Sequence, residues 1–333
     1  MSRGRRLLVA SAVAGGVLLA MPAAALAASV SFSSGYIYYT AGMGEKNALT
    51  VSDGALSTIV LNDTGAPLTT DASCAQVDPN TVQCPAAQGV VVYLGNKDDT
   101  ATVTLSETFI STDLHGDAGD DRLTGGAGPD AIDGGPGADV MHGGAGSDNI
   151  LYTGDSGPVS ITLDGVANDG LAGENDNVGG DFENLYGSPF DDTMVGNGGD
   201  DSFSGYGGAD TMNGGGGNDQ FSIDGADVIT GGTGFDTVYS FGSSPWKVSL
   251  DGLPNDGLAG DHANVGGDIE VLQGGSGNDT LTGNSKANTL LGMGGDDRLV
   301  GKGGNDALNG GDGTDVCKGG GGSNTFTACE TIS

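Results

Sequence analysis

The chain has 333 residues, of which 66 are glycine and only 5% are aromatic, too few large apolar groups for an ordinary globular core of this length. Its 44 acidic residues against 11 basic ones, a net charge of −33, exclude nucleic acid and anionic membranes as partners and point to cations. Composition leaves two options: disorder, or a repetitive fold held by something other than a thick core.

Residues 1–27 read as a secretory signal peptide. "MSRGRR" is a basic start, "LLVASAVAGGVLLAMPAAALA" an apolar run, and Ala25-Leu26-Ala27 fits a small-residue cleavage site. Gly15, Gly16 and Pro22 weaken a membrane anchor, and no later segment is apolar enough to span a bilayer. The expectation is a secreted, extracellular mature chain; Arg5-Arg6 leaves the Sec and twin-arginine routes both open. In that setting four cysteines imply two disulfides. Three pairings are possible, and the short separations favour Cys74–Cys84 and Cys317–Cys329. Each would add roughly 2–3 kcal/mol by restricting the unfolded chain.

Residues 28–113 hold short β-type runs, "YIYYT" (36–40), "STIVL" (57–61), "VVVYL" (90–94) and "TATVTL" (100–105), with moderate glycine. They form either a small β-domain or an irregular N-terminal β cap. Leu105, Leu114 and Leu123 are spaced nine apart, which carries the downstream repeat phase back into this segment and favours the cap.

From residue 116 the period is nine, in the form G-G-x-G-x-D-x-(apolar)-x. The first block (114–153) reads "GDAGDDRLT", "GGAGPDAID", "GGPGADVMH" and "GGAGSDNIL". A second block spans 187–239, with one unit a residue short before Thr230, and a third spans 274–333. Between them lie two copies of another module, within 154–186 and 240–273. "PVSITLDGVANDGLAGENDNVGGDFENLYG" (158–187) and "PWKVSLDGLPNDGLAGDHANVGGDIEVLQG" (245–274) align without gaps and share 18 of 30 residues. Each ends on an apolar residue, Leu185 or Leu272, nine before the first of the next block, so the modules read as looped-out turns of one solenoid.

The x-apolar-x triplet is a minimal strand with one side chain inward, and the glycine-rich hexad must reverse the chain. Two units then make an 18-residue coil, and coils stack into two parallel sheets over a thin ladder of inward residues. Stacking places equivalent aspartates such as Asp121 and Asp139 about one strand spacing (~4.8 Å) apart. Each such pair repels by roughly 3–4 kcal/mol at an effective dielectric near 20. One buried Leu or Met per repeat contributes about 1.5–3 kcal/mol. A cation-free chain should therefore be unfolded or loose. A divalent cation among carboxylates and turn carbonyls reverses the sign, and an all-oxygen cage suits Ca2+ better than Mg2+ or zinc.

The units resemble G-G-x-G-x-D-x-U-x, the calcium-binding nonapeptide of the hemolysin-type (repeats-in-toxin, RTX) family, over about half the chain directly. The resemblance implies an all-β fold, a right-handed parallel β-roll or β-solenoid with calcium between stacked turns. It implies ligand aspartates at Asp121, Asp130, Asp139, Asp148, Asp192, Asp201, Asp210, Asp219, Asp236, Asp279, Asp297, Asp306 and Asp315. Some units depart from the pattern. Phe190 and Lys286 replace the fourth-position glycine, Asn288 and Asn324 replace the aspartate, and Asp227 in the short unit stays outside the assignment. The last unit, with Asn324 and the Cys317–Cys329 pair, reads as a C-terminal cap. In the modules, Asp164, Asn168, Asp169, Glu174, Asp176 and Asp181 are either further calcium ligands or a solvated polar loop.

Catalytic look-alikes carry little. "GDSGP" (154–158) around Ser156 has the form of a serine-protease nucleophile segment, but His115, His142 and His262 all lie in repeats or modules and no protease domain is left over. No H-E-x-x-H occurs. The sequence thus reads as a secreted, non-catalytic, calcium-binding repeat protein. Two alternatives stand beside it: a calcium-dependent adhesin or matrix component with a cell-surface or glycan partner, and a secreted hydrolase or polysaccharide-modifying enzyme.

Overall fold

The computed structural model describes residues 27–333, and the signal-peptide reading of residues 1–27 therefore lies almost wholly outside the described residues. Nearly all regular structure is β, and most strands after residue 100 are only a few residues long, the length that an x-apolar-x triplet allows. No helix among the described residues is long and apolar enough to cross a membrane.

One face is a single 15-stranded sheet running the whole length of the molecule, from Leu68–Thr70 at one end to Thr325–Thr327 at the other. Its inward side chains form an unbroken ladder. Val92 pairs with Leu114, Leu114 with Ile132, Ile132 with Ile150, and Ile150 with Leu185 across the first module. Further along, Leu185 meets Phe203, whose ring stacks on Phe221 at 4.8 Å between centroids. The ladder closes on Leu308 and Phe326, and only this last residue is half-exposed, because no further coil covers it. Parallel pairing at a step of 18 residues, as in Leu123 with Met141, makes each coil two nonapeptides.

The segment 28–113 continues both faces. Tyr36–Thr40 pairs in parallel with Gly89–Tyr93, and Ala48–Asp53 with Thr100–Thr104, while antiparallel partners such as Ile59–Asp63 close the end. The nine-residue phase does not extend back through Leu105, however. Leu123 pairs with Ala101 and Leu114 with Val92, so this coil takes 22 residues, and Leu105 is buried outside the ladder. The two disulfides are Cys74–Cys84 in the cap and Cys317–Cys329 at the opposite end. There Thr331–Ile332 adds a final strand beside Val316–Cys317.

The opposite face is not continuous. It is divided into sheets of eight, six and five strands, and the breaks fall at the two modules. In the first, the chain leaves Ile150 and starts a new sheet at Ile161, which pairs forward with Met194. It then loops back so that Val178 completes the old sheet on Met141. One carboxylate joins the two edges: Asp169 Oδ1 accepts from the Thr162 N–H at 2.7 Å, and its Oδ2 from the Val178 N–H at 3.0 Å. The second module repeats this with Asp256, which accepts from Ser249 N–H at 2.7 Å and Val265 N–H at 3.0 Å. Both aspartates are buried, and both oxygens of each accept backbone N–H bonds, which makes them staples between the two sheet edges and not part of a solvated loop.

Replacing Asp256 with Ala leaves two buried N–H groups without acceptors, at a cost of about 1–3 kcal/mol each. Urea unfolding in saturating calcium should show the midpoint of Asp256→Ala lowered accordingly, while an exposed change at Asp251 leaves it in place. An unshifted midpoint would contradict the staple.

Candidate metal centres

Each nonapeptide aspartate stands where the glycine turn meets its strand, and the turn buries it. All thirteen aspartates picked out by the repeat pattern are at most 2% exposed. A buried carboxylate must find donors or lose its charge, and half of each finds one. Asp139 Oδ1 accepts from the Asp121 N–H at 2.7 Å, and Asp121 Oδ1 in turn from the Asp99 N–H at 2.7 Å. The same bond joins Asp130 to Asp148, Asp192 to Asp210, Asp201 to Asp219, and Asp279 through Asp297 to Asp315, at 2.7–2.9 Å. The carboxylates are therefore stacked in columns, each tied to the backbone of the coil before it. Direct carboxylate-to-carboxylate repulsion is softened by this arrangement, because an N–H dipole lies between successive members.

The other oxygen is the informative one. In nine of the thirteen (Asp121, Asp139, Asp148, Asp210, Asp219, Asp236, Asp297, Asp306 and Asp315) Oδ2 is buried with no hydrogen-bond partner. In the remaining four it takes a turn N–H, for example Asp201 from Asn197 at 2.8 Å and Asp279 from Gly275 at 2.9 Å. The orphaned oxygen faces the first glycine of its own unit. A methyl group built on Gly116 would overlap both Asp121 Oδ2 and the carbonyl oxygen of Gly134 in the next coil. Gly214 stands in the same relation to Asp219 and Gly231, Gly292 to Asp297 and Gly310, and Gly301 to Asp306 and Gly319. Glycine is required here because a carboxylate oxygen and a carbonyl oxygen from adjacent coils converge where a side chain would be. A convergent all-oxygen donor set of this kind suits Ca2+.

Without a cation, burial shifts several of these carboxyl groups towards the protonated form. Burial, reinforced by Asp121, Glu174 and Asp120, pushes Asp139 up to about 7 despite the bond from Asp121. Burial likewise raises Asp121, Asp148 and Asp210 to about 7, with neighbouring carboxylates adding to it.

Several members of the columns fall outside the repeat pattern. Asp99 belongs to the 22-residue coil and accepts from Asn47 N–H at 2.6 Å. Asp227 occupies a full ladder position despite the short unit, accepting from Asp210 N–H at 3.1 Å. Glu183 and Glu270, equivalent residues of the two modules, take the ladder place for Asp148 and Asp236 at 2.8 and 3.1 Å. Glu330 does so for Asp315 at 2.6 Å. The D-F-E and D-I-E triplets shared by the modules were the available signal for Glu183 and Glu270. Asn324 takes a column place without the charge, its Oδ1 accepting from the Asp306 N–H, whereas Asn288 Oδ1 accepts from the Asn284 N–H of its own turn while its N–H donates to Asp306. Of the module carboxylates, Asp176 caps the column below Asp139 at 2.9 Å and also accepts from the Tyr152 hydroxyl at 3.0 Å. Ser156 is exposed and has no hydrogen bond to a histidine among the described residues.

A family model described as the RTX calcium-binding nonapeptide repeat matches residues 115–150, 186–221, 222–243, 265–297 and 291–326. No curated protein matches the chain. The matched stretches coincide with the coils that carry the carboxylate columns and stop at the modules' looped parts. The chain belongs to the RTX calcium-binding nonapeptide-repeat family, whose repeats bind Ca2+ between their turns.

Proposed function

We propose that the mature chain is a secreted, non-catalytic calcium-binding protein whose repeats set into a rigid β-roll when they meet extracellular Ca2+. The thirteen nonapeptide aspartates, from Asp121 to Asp315, supply its charged ligands, and the first-glycine carbonyls of neighbouring coils supply the neutral ones. The observation that carries this reading is the set of nine buried, unpartnered Oδ2 atoms. Leaving such an atom unpaired costs about 1–3 kcal/mol, more when it is charged, and the one-residue-per-strand core has little to offset it. Coordination removes that penalty, so binding free energy becomes folding free energy. Mg2+, which keeps its waters and wants tighter geometry, should substitute poorly.

Calorimetric titration of chelator-stripped protein tests the reading. Several equivalents of Ca2+ should bind, with Mg2+ a weak competitor. Asp139→Asn should weaken the sites of its own column by roughly tenfold or more and spare those around Asp297. A chain that takes up no Ca2+, or that loses all sites equally, contradicts it.

The raised carboxyl groups add a pH dependence of definite sign. Asp139 titrates at about 7 in the folded chain, against about 3.9 when unfolded. The cation-free fold binds more protons than the unfolded chain between these values, so its stability falls as pH rises from about 4 to about 7. In chelator, circular dichroism should show more β-structure at pH 5 than at pH 7.5, and saturating Ca2+ should reverse the order. A chelator signal that is flat or grows with pH would be inconsistent with this.

A further inference from the structure

The eight-residue unit Ile223–Thr230 changes the chemistry of one site. Where the next coil is another full nonapeptide, the first glycine of a unit faces its own aspartate and the carbonyl of the glycine that opens that coil, as Gly187 does with Asp192 and Gly205. The short unit has no opening glycine. At Gly205, as at Gly134 and Gly231 where a module follows, the three nearest atoms all belong to the unit's own aspartate, and no carbonyl of a following coil is among them; at Gly205 the following coil is the short unit. A different group has moved in. One oxygen from each of Asp210, Asp224 and Asp227 lies within 4.8 Å of the others, the one such trio of metal-ligating side chains among the described residues.

Three further features mark this trio as a ligand site and not a solvated acidic patch. Asp210 is fully buried and its Oδ2 has no partner. Asp227 is equally buried and is held in place by the Asp210, Asp224 and Gly225 N–H groups. Asp224 is exposed and lines an open cavity of about 300 Å³ together with Asp261, which gives a hydrated ion a way in. The equivalent place at the first module is built otherwise. There the column below Asp139 continues to Asp176, whereas the second module carries Ala263 at that position. The second module thus supplies no carboxylate to the column below Asp227, and Asp224 of the short unit brings the third charge instead.

We propose that Asp210, Asp224 and Asp227 form a three-carboxylate site for a divalent cation, the tightest calcium site in the chain and the first to fill. Exchanging a neutral carbonyl ligand for a carboxylate raises the charge count of the cage, and charge count is a main determinant of calcium affinity. Because it lies midway along the roll, between the two modules, a cation here orders a coil on which both neighbouring coils can stack. The proposal rests on the calcium reading above.

Calcium titration of the full chain, wild type against Asp224→Asn, tests it. The wild type should show one equivalent bound more tightly than the rest. Asp224→Asn should weaken that equivalent by about tenfold or more and leave the number of weaker sites unchanged, and Asp224→Glu should restore it. Superimposable isotherms for wild type and Asp224→Asn would overturn this site while leaving the general calcium reading intact. So would an Asp224→Asn chain that stays unfolded at saturating calcium. A wild type that binds no calcium overturns both.

Discussion

The structure depends on one constraint: a column of carboxylates must be buried at one strand spacing, on a core one side chain wide. The backbone answers half of it. Asp121, Asp139 and their counterparts each give one oxygen to an N–H of the preceding coil, which fixes the carboxylate and helps set the 18-residue register. The second oxygen faces the first glycine of its unit, whose missing side chain, where a full repeat follows as at Asp121, opens a cradle with the next coil's carbonyl. On the function proposed above, order in the coils and occupancy of the cradles are one equilibrium, because the ladder of single inward residues such as Ile132 and Met141 is one side chain wide.

The modules show how a solenoid can take in a long excursion without losing register. The face that carries Ile150, Leu185 and Phe203 never breaks, and the disruption is confined to the opposite face. There a new sheet opens before the old one is finished, and a single buried carboxylate, Asp169 or Asp256, satisfies the exposed edge of each. Glu183 and Glu270 then reach the ladder position with their longer side chains, so Asp148 and Asp236 each keep a charged acceptor where the modules begin.

Where spacing is regular, the sequence alone was a good guide. The nine-residue period gave the all-β class, the 18-residue coil and the inward residues. It also located thirteen aspartates that all prove to be buried at turn-to-strand junctions. Legibility failed wherever local spacing and spatial stacking part company. Asp227 is one residue out of phase yet in register, because the shortened unit gives up its opening glycine and not its strand. Asp99 stands 22 residues from Asp121, and Leu105 kept the period while Ala101 kept the contact. Asp169 looked like one acidic residue among several in its module. Only the folding back of residues 170–178 brings the two edges together that give it a role.

Hydrogen–deuterium exchange across residues 115–326, in chelator and in millimolar calcium at pH 7.5, tests most directly whether cation binding and folding are one event. The account predicts that amides of the nonapeptide strands exchange freely in chelator and become protected in calcium. The disulfide-closed cap around Tyr39 and Val92, which has a thicker core, should keep protection in both. Equal protection of the repeat strands in chelator and in calcium would contradict it.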